Sequence, residues 1–271
     1  MSSTSGKIGL ADSVVLSVDE FLKYKQYNLK MTSEVDDYYK KNKHKFGSQN
    51  TYNKFNHKNK RYISSNDKIY SSFTSILNKL NNDNYLKLAT EIKQLNINHL
   101  EQMDKLVYFI FSKAINENKF NDAYAKLTNA LIGFNITVDD KIVYFKNLMI
   151  SKCQYLFNQI IGLTHSYEPK IHALGCMRFI SNLYNSGFIS GTILNVCLQT
   201  MLNRIIKEQY FLIEYLSILL VTSGSLFSTS YPTELENLVK SIDKIIKNNK
   251  LSYKDKFTLM DIIERDRDKK W

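Results

Sequence analysis

From Ser71 to Trp271, apolar residues recur at three- and four-residue steps almost without a break. A chain patterned in this way is committed to helices that each bury one face. Phe73, Ile76, Leu77 and Leu80 make a first stripe, and Tyr85, Leu88, Ile92 and Leu95 a second. A third runs through Leu106, Phe109, Ile110 and Ala114, and a fourth through Ala123, Leu127, Ala130 and Leu131 to a stop at Gly133. Asp139–Asp140 is read as the start of a long fifth helix holding Val143, Phe145, Met149 and Phe157, because paired carboxylates offset the positive end of a helix dipole.

The sixth helix is the most informative. In Ala173–Phe188, Leu174, Met177, Ile180 and Leu183 share one face, while Gly175 interrupts it. Glycine inside a helix costs about 1 kcal/mol against alanine, so a neighbouring helix is expected to approach closely at Gly175. Gly187 stands where a left-handed C-cap is expected, and Ser190 caps a seventh helix shortly after. Tyr210–Ser223 reads as an eighth helix that stops near Gly224, Pro232 opens a ninth and Ser252 a tenth. With only 2 prolines and 9 glycines, the chain lacks the turn residues of a β-sandwich. Short connections make neighbouring helices antiparallel. The expected fold is therefore all-α: a HEAT-type α-solenoid of about five antiparallel helix pairs, each repeat roughly 40 residues long.

The formal charge of +11 favours a polyanionic partner, although a lysine-rich coding bias contributes to it. Residues 1–65 differ from the remainder. They form a basic, Asn-, Lys- and Tyr-rich arm with few aliphatic residues, expected to be largely disordered, ahead of a solenoid over 66–271. Within the arm, Lys40, Lys41, Lys43, Lys45, Lys54, Lys58, Lys60 and Arg61 are interleaved with tyrosines and phenylalanines. Cations that track phosphates and rings that stack on bases suit single-stranded nucleic acid, and RNA is the expected partner. A solvated tail with incidental tyrosines has the same composition.

Cys153, Cys176 and Cys197 lie far apart on expected helices, as buried reduced thiols do. The N-terminal MSSTSGKIGL lacks the apolar core of a signal peptide, and Tyr210–Val221 is too short, with Glu214 inside it, to span a bilayer. A soluble cytoplasmic protein, monomeric in isolation, is expected. Neither a phosphate-binding loop, a metal-ligand spacing nor a nucleophile elbow is present, so no catalytic residues, metal or cofactor are assigned and no enzymatic activity is expected.

Several segments, in order, resemble the middle domain of eukaryotic translation initiation factor 4 gamma. They are SILNKL (Ser75–Leu80), FIFSKAINENKFNDAYAKL (Phe109–Leu127), YFKNLMISKCQYLF (Tyr144–Phe157), the Ala173–Phe188 stretch, and KFTLMDIIERDRDKKW (Lys256–Trp271). Cys176 and Ser181 depart from the family pattern after Gly175, and Arg265–Asp266 replaces a Leu-Arg pair. The resemblance implies a HEAT-repeat scaffold that binds a DEAD-box helicase of the initiation factor 4A type. It places helicase contacts at Ile97, Asn98, His99 and Leu100, and at Lys256, Phe257, Asp261 and Arg267, with burial in the core as the alternative for Phe257. It further implies a peptide for the cap-binding initiation factor 4E, matched by Tyr24, Leu29, Lys30 and Met31, or in another register by Glu20–Lys23. A sister-branch adaptor of splicing, nonsense-mediated decay or nuclear cap binding would share the same solenoid.

Overall fold

The computed structural model describes residues 65–138, 140–162, 170–247 and 250–271. Ten α-helices account for most of them: α1 (Ser65–Leu77), α2 (Tyr85–Lys93), α3 (Leu100–Asn116), α4 (Asn121–Ala130), α5 (Phe145–Gly162), α6 (Lys170–Asn185), α7 (Gly191–Ile206), α8 (Ile213–Ser230), α9 (Pro232–Ile246) and α10 (Tyr253–Asp268). Short 3-10 turns, Asn118–Phe120 and Tyr210–Leu212, lead into α4 and α8. The helices alternate between two layers. The even-numbered ones pack in file from α2 to α10, and each odd-numbered helix lies against the even-numbered one that follows it. This is the helical solenoid of five pairs that the periodicity predicts. The arm and its cap-binder and RNA residues lie outside the described part.

The core runs the length of the solenoid between the layers. Phe73, Ile110, Leu127, Met149, Phe179, Leu216 and Leu238 are all fully buried. Burying side chains of this size contributes about 1.5–3 kcal/mol each. Ser190 caps α7 by accepting from the Ile193 amide, and Ser252 caps α10 by accepting from Asp255. Gly187 has φ +82°, as its place beyond α6 requires.

Two segments differ from the sequence reading. Asp139–Asp140 does not open the fifth helix. Asn135–Val138 (β1) and Lys141–Tyr144 (β2) form an antiparallel hairpin with Ile136 opposite Val143, and α5 begins only at Phe145. Asp140 takes φ +59° in the connection, a left-handed conformation that Asp tolerates better than most residues. Val143 therefore belongs to a strand. β-branched residues dominate both arms (Ile136, Thr137, Val138, Ile142 and Val143), which is the signal that a helical register obscured.

The second correction concerns α8, which continues through Gly224 to Ser230. Gly224 serves packing there: a Cβ would lie 2.3 Å from a ring carbon of Trp271. With its leading 3-10 turn the helix reaches 21 residues, long and apolar enough to cross a membrane by those measures, so the length argument fails. Its surroundings are those of a core helix. Leu216, Leu219, Leu220 and Phe227 are fully buried against neighbouring helices, and Glu214 is ion-paired.

A candidate partner-docking rim

Antiparallel pairing sends the N-termini of all the even-numbered helices to one rim of the solenoid. Ion pairs tie that rim together. Glu214, in the first turn of α8, accepts from Lys170 at the start of α6 (2.5 Å) and from Lys254 at the start of α10 (3.2 Å). The Lys170 hydrogen bond, followed by that of Lys254, holds the Glu214 carboxyl below the usual carboxylate range. Lys250, before α10, pairs with Glu208, before α8. Arg204, at the end of α7, donates to the Ile161 carbonyl near the end of α5 (2.6 Å).

The same rim carries apolar side chains that face solvent. Leu86 in the first turn of α2 is 61% exposed, and Phe120, Ile171 and Phe211 stand exposed at the starts of α4, α6 and α8. On α10, Tyr253 is 85% and Phe257 65% exposed, one helical turn apart on one face. The question left open for Phe257 is thus settled: it is not core. Each even-numbered helix thus begins with at least one exposed apolar residue, and ion pairs link the starts of α6, α8 and α10. Among the described residues no group of three metal-ligating side chains occurs.

The sequence-assigned helicase residues do not fall on one rim. Lys256 and Phe257 lie on the rim just described, whereas the Ile97–Leu100 loop joins the C-terminal end of α2 to α3 and so lies on the opposite one. Ile97 is buried, while Asn98, His99 and Leu100 are exposed. That loop is held firmly. Buried Gln102 accepts from the amides of Asn98 and His99 and donates to Asn66 Oδ1 (2.8 Å). Asp261, midway along α10, accepts from Arg265 (2.9 Å), and Arg267 near its end pairs with Asp268. Sequence reasoning missed Leu86, Phe120, Ile171, Phe211 and Tyr253, because an apolar residue at the start of a helix reads as core and only the packing shows which one is left outside.

The segments that carry the family resemblance meet in space. Asn121, 1% exposed, donates to the carbonyls of Ala114 (2.9 Å) and Gly175 (3.3 Å) and accepts from Asn182 (2.8 Å). Arg178 donates to Asn118 Oδ1 (2.8 Å). Tyr124 donates to Glu117 (2.8 Å), which also pairs with Lys113 (2.7 Å). The α3–α4 connection is thereby locked to α6. A model of the MIF4G domain matches residues 72–269. The chain belongs to the MIF4G domain family. Among curated proteins it is 25% identical to mouse eukaryotic translation initiation factor 4 gamma 1 over 72% of this chain and 14% of that protein. It is 26% identical to wheat eukaryotic translation initiation factor 4G over 73% of this chain and 15% of that one. A probable eukaryotic translation initiation factor 4 gamma homolog of Vairimorpha ceranae is 26% identical over 78% of this chain and 40% of its own length. The chain spans less than half the length of these relatives. This MIF4G solenoid resembles the middle domain of translation initiation factors of the 4 gamma family.

Proposed function

We propose that this MIF4G solenoid organises translation initiation in the cytoplasm by holding a DEAD-box helicase of the initiation factor 4A type on its even-helix rim. The observation that carries the reading is the row of exposed apolar residues from Leu86 to Phe257, together with the resemblance of the Lys256–Trp271 segment to the helicase-binding family. A two-lobed helicase interconverts between open and closed arrangements. A rigid surface that binds the near-closed arrangement better raises its population by the ratio of the two affinities. The scaffold then accelerates turnover while performing no chemistry itself.

The basic arm, through Lys40 to Arg61, is proposed to hold RNA, and Tyr24 with Leu29 to contact the cap-binding factor 4E as a helix in a groove. Binding of the purified helicase, followed by gel filtration and titration calorimetry, tests the rim. Phe257→Ala is expected to weaken the complex at least about tenfold, a typical consequence of truncating an aromatic anchor. An unchanged affinity would remove Phe257 from the interface, and no complex with the unaltered chain would refute the reading.

A further inference from the structure

Around the start of each even-numbered helix, an exposed apolar residue has a lysine as its chain neighbour. The pairs are Leu86–Lys87, Lys119–Phe120, Lys170–Ile171, Ile206–Lys207 and Lys256–Phe257, with Ile206, at the end of α7, 55% exposed. Two of these lysines add little charge. Asp83 and Glu91 lie four residues to either side of Lys87, and Lys170 is committed to Glu214. The other three stand apart. Among the described residues no carboxylate pairs with Lys119, Lys207 or Lys256, because the acidic groups near them are already engaged. Glu117 holds Lys113 and Tyr124, and Asp122 holds Lys126. Glu208 holds Lys250, Glu214 holds both Lys170 and Lys254, and Asp255 accepts from the Ser252 hydroxyl. The excess is largest where the connections into α8 and α10 meet through Lys250 and Glu208. Residues 204–214 and 243–257 hold seven lysines and arginines against four acidic residues. The N-terminal ends of the even-numbered helices add partial charge of the same sign.

We propose that the protein face received by this rim is acidic, with carboxylates that meet Lys119, Lys207 and Lys256 beside apolar contacts to Phe120, Ile206 and Phe257. The inference rests on the rim being the helicase-docking surface, and it adds the chemistry of the face that docks. Lys256 stands three residues on from Tyr253, on the same side of α10, so cation and ring are offered together. Leu86, Ile171 and Ile206 are aliphatic and give a nucleic-acid base no ring to stack on, which favours a folded protein over RNA. Exposed lysines of this kind act chiefly on the rate of encounter, whereas the buried area of the apolar anchors governs the lifetime of the complex.

Stopped-flow association of a fluorescently labelled 4A-type helicase with the full chain is the test. Association with the unaltered chain should slow as salt is added. The triple variant Lys119→Gln, Lys207→Gln, Lys256→Gln should associate about tenfold more slowly at low salt, with dissociation changed less than about threefold and the difference closing at high salt. A second triple variant of the same net charge, Lys68→Gln, Lys141→Gln, Lys240→Gln, is altered at exposed positions away from the rim and should associate like the unaltered chain. Phe257→Ala should instead speed dissociation. Equal slowing in the two triple variants, or slowing in neither, overturns the acidic face and leaves the rim to be judged by Phe257→Ala. Oligouridine affinity, read by anisotropy, covers the other polyanion: its loss in the first triple variant, with helicase association unchanged, would overturn the proposal in favour of RNA on the rim. No association of the helicase with the unaltered chain removes the rim reading and this inference together.

Discussion

Gly175 lies so close to Ile115 that a Cβ on the glycine would sit 2.1 Å from the Ile115 carbonyl oxygen. The α6 helix therefore crosses the end of α3 backbone to backbone. Phe111 packs edge-on against Phe179 at a centroid distance of 5.8 Å beside the crossing.

Gly175→Ala separates this account from helix propensity. In an unobstructed helix the change stabilises by about 1 kcal/mol. Here it is expected to destabilise by about 3 kcal/mol or to prevent folding, since the clash is with backbone that cannot rotate aside. Urea denaturation gives the sign directly, and a stabilised protein would show that α3 and α6 are farther apart.

Glu214 should make the rim sensitive to acid. Its carboxylate is favoured in the folded state, so it contributes stability above its ordinary value of 4.5 and loses it as pH falls through the depressed folded value. Glu214→Gln is expected to cost about 0.5–1 kcal/mol at neutral pH and low salt. The gap from the unaltered protein should close as the pH is lowered through the acid range. A gap that persists at acid pH would mean that packing, and not charge, is what the glutamate provides.

Burial pushes the Cys153 thiol up to about 12, with Cys197 nearby adding to the effect. At pH 8 only about one thiol in ten thousand is then ionised, and the thiolate is the reactive form. Cys153 should react with a disulfide reagent only as fast as the solenoid opens. Immediate modification in the native protein, with Cys153 identified by mass spectrometry, would contradict the packing of α5.

Asn121→Ala leaves the Gly175 and Ala114 carbonyls without this donor and is expected to cost about 2 kcal/mol. Asn121→Asp should cost more, because it buries a charge facing carbonyl oxygens. Thermal denaturation of the two variants checks the order, and equal losses would argue that water fills the site.

The helices were legible because each carries a stripe that only one period explains. Gly175 was legible as a crossing because nothing else justifies a glycine in that helix. The hairpin was not, since the stripe that Phe145 opens with Met149 is strongly helical, and four-residue strands offer too few alternations to compete with it. Gly224 failed as a stop signal for the opposite reason to Gly187. Its small size accommodates the Trp271 ring from a distant part of the chain, which a local reading does not contain. The rim was half legible: the resemblance pointed to Phe257, but its partners Leu86, Phe120, Phe211 and Tyr253 emerge only when every even-numbered helix is seen to begin on the same side.

The most direct test of the central claim is the RNA-dependent ATPase rate of a 4A-type helicase with and without the chain. The rim predicts stimulation that falls at least about tenfold in the Tyr253→Ala, Phe257→Ala double variant, with the variant's melting temperature unchanged because both side chains are exposed. Stimulation that survives intact in a folded double variant, or no stimulation by the unaltered chain, would contradict it.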